Sequence, residues 1–298
     1  MRKAITVFTP TFNRAYCLGQ LYESLLRQTA SDFCWLIVDD GSSDTTKDLV
    51  AGWIAEQKIP ITYLYQTNQG MHGAHNTAYA HIETPYNVCI DSDDYMPDDA
   101  IAQILAHLPQ LEASDCAGMI GLDCDPQGKL IGTAIPEHWQ RGTLNDLYRK
   151  GVTGDKKVVL KTQVVRQFPP YPIYPGEKLV PLGTLYLQID QQYTWLYTNA
   201  LLCVVEYLAD GSSRNIFKQY ERSPNGFFYS RLIELRFGHS FIYKFTRAMH
   251  LVSSAIFGRL SLFKNNPEKV ITLLAIPFGI LFHGYVLFKI ANENPASN

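Results

Sequence analysis

Apolar positions set the rhythm of this chain. Residues 4–8, 34–38, 61–65 and 86–90 are short runs dense in β-branched and aromatic side chains, and each stops at a cluster of polar residues. Runs of that length bounded by turn residues predict buried strands. Between the first two, Leu18, Leu21 and Leu25 recur at helical spacing over residues 16–28, and Ser43 or Asp44 stands where it can cap a second helix reaching about Gln57. A glycine-bearing loop over residues 66–76 enters a third helix, and another helix resumes around Pro97. Strands alternating with helices predict right-handed crossovers and a mostly parallel sheet, an α/β fold.

The second half changes rhythm. Residues 117–122 predict a further strand, 127–135 a hairpin arm with its turn at 126–128, 156–162 a strand leading into a helix, and 201–205 a last strand. Five prolines between Pro169 and Pro181 preclude regular structure there, which predicts a shaped loop over a site. From Ser223 onwards the pattern is helical. Residues 227–263 interleave Arg and Lys with Phe, Tyr, Leu and Ile, and the 21 residues 270–290 carry no ionisable side chain except His283 and Lys289. That run meets the length of a membrane span, about 20 residues, although Pro277, Gly279 and Gly284 interrupt it. A single span, a helix or hairpin lying in the interface, and a helix buried against the rest of the chain all satisfy the pattern. Interfacial binding is favoured because the preceding basic segment adds attraction to lipid headgroups. The expected division is 1–220, with halves 1–115 and 116–220, followed by a helical membrane-associating region, 221–298.

Composition sharpens this picture. At 298 residues, 46% of them hydrophobic, the chain has ample material for a core. The net charge of −2 hides an asymmetry: residues 1–213 hold 15 Lys and Arg against 24 Asp and Glu, a balance of −9, and residues 214–290 hold 11 against 3, a balance of +8. A basic and strongly apolar C-terminal third points to an anionic membrane surface and away from nucleic acid. The six cysteines form no Cys-x-x-Cys pair and lie mostly inside apolar runs, the usage of reduced thiols in a cytosolic compartment. Met1-Arg-Lys runs straight into a strand, so no secretory leader is expected.

The candidate chemistry sits where the strands stop. Asp91, Asp93 and Asp94 follow the run 86–90, and Asp39 and Asp40 follow 34–38. Crowded carboxylates raise one another's pKa unless a cation intervenes, and a hard divalent ion with oxygen ligands, Mg²⁺ or Mn²⁺, relieves the crowding. The plain alternative is a solvated acidic turn capping the next helix. In a parallel sheet these loops converge on one edge, where ligands bind. Acidic groups there can take ribose hydroxyls and base N–H groups, Arg14 can take phosphate, and a metal can bridge two phosphates. The inventory describes a nucleoside-diphosphate site without a phosphate loop of the Gly-x-x-x-x-Gly-Lys type or a Gly-x-Gly-x-x-Gly turn.

Four motifs in order, Thr9-Pro-Thr-Phe-Asn-Arg14, Val38-Asp-Asp-Gly-Ser-Ser-Asp44, Asn68-x-Gly70 with Asn76, and Asp91-Ser-Asp-Asp94, resemble those of family 2 glycosyltransferases of the GT-A fold. That resemblance implies a mostly parallel, Rossmann-like sheet flanked by helices. It implies donor contacts from Thr9, Thr11, Arg14, Asn68, Gly70, Asn76 and Ser92, with Asp39 and Asp40 at the nucleoside, Asp91 near the ribose and the metal, and Asp93 as direct metal ligand. Met71 stands where related sequences often carry Lys, and His72 is either a cap or surface residue or a donor contact. Gly176-Glu-Lys-Leu-Val180 resembles a segment where other members carry a base, so Glu177 is the expected general base, with Asp155 as runner-up and a Glu177–Lys178 ion pair as the plain alternative. Residues 207–211, Tyr-Leu-Ala-Asp-Gly, resemble a segment of the same bacterial subgroup, and Arg214 is a further diphosphate candidate.

The implied function is metal-dependent, inverting transfer from a nucleotide-diphospho-sugar to a glycan or lipid-linked saccharide in cell-surface polysaccharide synthesis. Its place would be the cytoplasmic face of the bacterial inner (plasma) membrane, held peripherally or monotopically. A glycoside hydrolase has no need of nucleoside-binding loops. A catalytically silent nucleotide-sugar binder or membrane scaffold of the same fold is the alternative.

Overall fold

A computed structural model describes residues 3–206 and 216–292. Strands and helices alternate through β1 (Ile5–Thr11), α1 (Ala15–Leu26), β2 (Phe33–Asp39), α2 (Thr46–Glu56), β3 (Ile61–Tyr65), α3 (Met71–His81), β4 (Tyr86–Cys89) and α4 (Ala100–Glu112). Then come β5 (Gly118–Cys124), β6 (Arg141–Gly142), α5 (Leu144–Arg149), β7 (Lys156–Lys161), α6 (Thr162–Val165), α7 (Gly183–Ile189) and β8 (Trp195–Val204). Helices α8 (Ile216–Arg222), α9 (Pro224–Phe237), α10 (Phe241–Gly258) and α11 (Lys269–Asn292) follow.

One sheet runs in the order β3-β2-β1-β4-β7-β5-β8-β6. Its pairs β2–β3, β1–β2, β1–β4 and β5–β8 are parallel, and β4–β7, β5–β7 and β6–β8 antiparallel. The sheet is mostly parallel, as expected, with β7 entering in reverse between β4 and β5 and β6 antiparallel at the edge. The hairpin arm expected over 127–135 is not a strand. After the turn at Asp125–Gly128 the segment makes a single bridge, Cys124 to Leu130. Its three glycine and proline positions, Gly128, Gly132 and Pro136, deny it a continuous ladder.

The period of two along β1 sorts its side chains. Ile5 and Val7 face the core made with α1, α2 and α4, where Trp35, Tyr22 and Trp53 stack at centroid spacings of 4.4 to 6.2 Å. Phe8 faces the other way, and α3 lays His75 and Tyr79 edge-on against it at 5.0 and 5.5 Å. His75 is 2% exposed, and burial holds its pKa down to about 4, with Asp91 pulling the other way.

By its contacts the chain divides into two compact units, Met1–Pro170 with Ile189–Leu208, and Tyr171–Gln188 with Ala209–Asn298. The expected boundary at 220 passes over the return of 171–188 to the second unit. Residues 169–182 carry no regular structure, as their prolines require. In the second unit, Leu235, Ala248, Leu251 and Ala275 form a small core. Helix α9 begins with Pro224 after Ser223, whose side chain makes no cap hydrogen bond. Glu177 supplies the cap: Oε1 accepts from the Asn225 N–H (3.0 Å) and Nδ2 (2.6 Å), and Oε2 from the Gly226 N–H (2.9 Å). A carboxylate on the first-turn amides of a helix satisfies orphan donors and meets the positive end of the helix dipole. Gly226 is required there, since a Cβ would lie 2.0 Å from the Leu179 carbonyl oxygen.

Two expectations follow. A histidine whose folded pKa lies below its unfolded value contributes fully above pH ~6.5 and loses that contribution as pH falls towards 4. Denaturant titrations should show the protein losing about 2 kcal/mol more between pH 7 and pH 5 than a His75→Gln variant does; parallel losses would refute the buried neutral imidazole. For the helix cap, Glu177→Gln turns an amide towards a donor and should cost about 2 kcal/mol of stability while catalysis stays within roughly tenfold. A base role predicts the reverse, an unchanged melting temperature with a loss of about a hundredfold or more.

Candidate functional site

The parallel register of β1, β2, β3 and β4 brings their carboxyl ends to one edge of the sheet. Since β7 is antiparallel to β4 and β5, with Lys156 opposite Leu122, its first residues and Asp155 before them reach that same edge. Asp123, near the end of β5, arrives there too.

The loops on this edge are tied to one another by side chains buried beneath them. Asp39, fully buried, accepts from the Ser42 N–H (2.7 Å) and the Tyr63 hydroxyl (2.5 Å). Asp40, 3% exposed, accepts from Gln66 Nε2 (2.7 Å), the Gln69 N–H (2.8 Å) and the Gly70 N–H (2.7 Å). It thereby shapes the loop that carries Asn68 and enters α3. Gly41 sits at φ +90°, and a Cβ on it would meet Asn68 N at 3.0 Å, so the two loops pass in close contact. Asn13, at φ 53°, accepts from the Ser43 (2.8 Å) and Asp44 (3.3 Å) amides and donates its own N–H to Ser42 Oγ (2.8 Å). These bonds join the ends of β1, β2 and β3 into one frame.

The fourth loop holds the charge. Asp91 and Asp93 are half-buried, whereas Ser92 and Asp94 are each 7% exposed. Arg14 NH1 stands 3.6 Å from Asp93 Oδ2, linking the first loop to the fourth. Burial pushes Asp94 up to about 7; Lys157 works against that rise, and Asp91 and Asp93 add to it. Asp123, 2% exposed, is raised by burial, and its Oδ1 has no hydrogen-bond partner among the described residues. Lys157 on β7 faces this group. Burial disfavours its ammonium, yet the Cys203 thiol and the carboxylates of Asp123, Asp91 and Asp94 hold it well above the ordinary lysine range. Cys203 Sγ lies 3.7 Å from Asp94 Oδ2, and Cys89 Sγ links Asp91 (3.7 Å) to His75 Nε2 (3.6 Å). Among the described residues no three His, Cys, Asp or Glu are grouped to hold a metal ion unaided. Two half-buried carboxylates beside an arginine fit an ion that completes its shell with water and diphosphate oxygens.

The structure thus brings Thr11, Arg14, Asp39, Asp40, Asn68, Gly70, Asp91, Ser92 and Asp93 to one edge, with Asn76 inside α3, and corrects what some of them do. Thr9 is fully buried, and its hydroxyl accepts from Trp35 Nε1 at 2.9 Å, so it serves the core in place of the expected donor contact. The Asp40 carboxylate, with three donors on it, holds a loop and is not open to a nucleoside. Glu177 belongs to the second unit, is 8% exposed and caps α9, with both carboxylate oxygens engaged by its first turn. His72 and His75, 1% and 2% exposed, are interior, contrary to the cap or surface reading. Residues 207–211 and Arg214 lie outside the described residues.

Sequence reasoning missed Lys157, Asp123 and Cys203, whose roles depend on β7 entering the sheet backwards. The signal available was a Lys pair opening an otherwise apolar strand. It also passed over Phe12, whose ring is 47% exposed at the end of β1 beside Asn13.

Comparison with known proteins agrees with this geometry. Residues 6–151 match the sequence model described as glycosyl transferase family 2. An uncharacterized glycosyltransferase of Nostoc sp. is 30% identical over 116 residues, 39% of this chain and 35% of its own length. The chondroitin synthase of Escherichia coli is 28% identical over 127 residues, 43% of this chain and 18% of its own length. The chain thus spans little more than a third of these relatives at most. Among solved structures, S. aureus TarS 1-349 in complex with UDP-GlcNAc superposes with a TM-score of 0.59 at 16% identity, over 93% of this chain and 80% of that one. The mannosyltransferase PcManGT from Pyrobaculum calidifontis, in complex with GDP-Man and Mn²⁺, does so with 0.57 at 16% identity, over 95% and 87%. Residues 6–151 thus match glycosyl transferase family 2, and the sheet is laid out as a GT-A fold.

Proposed function

We propose that this chain is a metal-dependent, inverting glycosyltransferase. It moves a sugar from a nucleotide-diphospho-sugar onto a glycan or lipid-linked saccharide in surface-polysaccharide synthesis, at the cytoplasmic face of a bacterial membrane. The observation that carries this reading is the shared edge where a rigid frame of nucleoside-sized loops meets Asp91, Asp93 and Arg14.

Asp93, with Asp91, would hold Mg²⁺ or Mn²⁺, which neutralises charge developing on the departing diphosphate. Arg14, which pairs with Asp93 at 3.6 Å, is placed to bind phosphate once that carboxylate is neutralised. Phe12 offers an uncovered ring to a nucleobase. Asn68 lines the nucleoside side of the frame, and the buried Asp39 and Asp40 keep it in shape. Lys157 stabilises the carboxylate cluster from beneath and keeps its geometry whether or not the ion is present. For the acceptor, Asp155 is an exposed carboxylate on this edge, and we assign it the role of taking the hydroxyl proton while the oxygen attacks the anomeric carbon from the face opposite the diphosphate. Much of the acceleration comes from positioning and from charge neutralisation on the leaving group.

A silent nucleotide-sugar binder is the second reading. Two observations favour it: Glu177 is committed to α9, and Met71, 38% exposed, puts no charge at the donor loop.

Binding to the folded state raises the melting temperature by mass action, so nucleoside diphosphates can be screened with and without Mn²⁺ before an acceptor is known. One base should give a shift that requires the metal, and Asp93→Asn should remove it; a shift indifferent to both metal and Asp93 would refute the ion site. Asp155→Asn should keep that shift and lower turnover by about a hundredfold or more. Full turnover in that variant would refute the base, and a metal-dependent shift with no turnover of any nucleotide-sugar by the unmutated protein would favour the silent binder.

A further inference from the structure

Helix α11 has two unlike faces. Thr272, Ala275, Gly279 and Val286 are buried, and Gly279 marks the closest approach to α10: a Cβ there would meet Val252 Cβ at 2.5 Å and the Met249 carbonyl oxygen at 2.9 Å. The opposite half of the helix exposes Val270, Leu273, Leu274, Phe278, Ile280, Leu281, Tyr285, Leu287 and Phe288, each between 45% and 73% open. At 1.5 Å per residue that face is about 27 Å long. No charge lies on it. Ile256 is exposed on α10, exposed Arg259, Phe263 and Lys264 stand in the segment that joins α10 to α11, and exposed Lys269 opens α11.

The length alone would suit a span, but the neighbours of α11 do not. Phe245 meets Phe278 at 5.4 Å, His250 meets Phe282 at 4.2 Å, and Ser253 hydrogen-bonds His283 at 3.2 Å, so α10 packs against the middle of α11. One turn before His250, Arg247 pairs with Glu234 (3.5 Å), which also holds Arg231 (2.7 Å). If the middle of α11 lay at the centre of a bilayer, this ion cluster would lie near the centre too, among hydrocarbon, where charges are costly. A helix lying in the plane of the surface has no such conflict, because its apolar half enters the acyl boundary and the cluster stays on the wet side.

We infer that α11, with exposed Ile256 and Phe263, docks in the plane of an anionic phospholipid bilayer, its apolar half submerged and Arg259, Lys264 and Lys269 on the headgroups. These basic residues select this occupant over a second copy of the chain, which would bring the same charges to the contact. This deepens the membrane placement proposed above. Its readout is lipid binding rather than transfer, so the failure of either reading leaves the other standing.

The test uses the purified full chain and preformed vesicles of phosphatidylcholine, with or without phosphatidylglycerol. The protein should sediment with the anionic vesicles at least about tenfold better than with the neutral ones, should weaken in high salt, and should be released by an alkaline carbonate wash. Leu274→Gln with Leu281→Gln, both at exposed positions, should cut binding about tenfold or more without moving the melting temperature. Extraction by detergent alone would overturn the inference in favour of a span. A solution dimer broken by the same substitutions, with no lipid binding, would overturn it in favour of a second copy.

Discussion

Like charge at the ends of strands is the condition to which the rest of this structure answers. Asp91, Asp93, Asp94 and Asp123 arrive on one edge of one sheet, two of them almost without solvent. Unaided, such a group protonates or pushes its loops apart. Two cations answer it from different elements: Lys157, reaching it from the reversed strand, and Arg14, coming across from the first loop. Lys157 is built into the sheet and cannot leave, whereas Arg14 holds Asp93 at 3.6 Å, long for a tight pair and easily given up to a stronger cation. One of the two counter-charges is thus fixed in the sheet and the other is loosely held.

The frame around it works by a different economy. Asp39, Asp40 and Asn13 are polar residues in places where loops usually rely on solvent, and among them they accept from backbone amides of two separate loops. Each bond contributes only about 1 kcal/mol net, but leaving a buried carboxylate without its donors costs more than the bond contributes. The loops are thereby held before any ligand arrives, and a ligand that must otherwise order loops on binding loses affinity to that ordering.

Much of this was legible in the chain. Four strands and the four polar clusters behind them follow from apolar runs and their stops, and β3, Ile61–Tyr65, has the bounds its residues predict. What the pattern could not carry was direction. The run 156–162 reads the same whether its strand enters parallel or antiparallel, and on that depends whether Lys157 and Asp155 reach the site or the far edge. Nor does spacing say which atoms meet: Thr9 and Thr11 lie two residues apart on one face, yet Thr9 is drawn to the Trp35 indole while Thr11 Oγ1 has no partner among the described residues. Glu177 is the same lesson in a loop, since its partners Asn225 and Gly226 are 48 and 49 residues away.

The charge asymmetry has a physical consequence of its own. A net charge of −2 would argue against an anionic surface if the protein met it as a point. At physiological ionic strength, however, interactions fade over about 8 Å, far less than a domain, so a surface responds to the patch that faces it and not to the total. Carboxylates more than that distance from a basic patch then have little effect on its attraction to the surface. Separating the charges along the chain lets the basic segment be drawn to an anionic surface that the average charge of the protein would not attract.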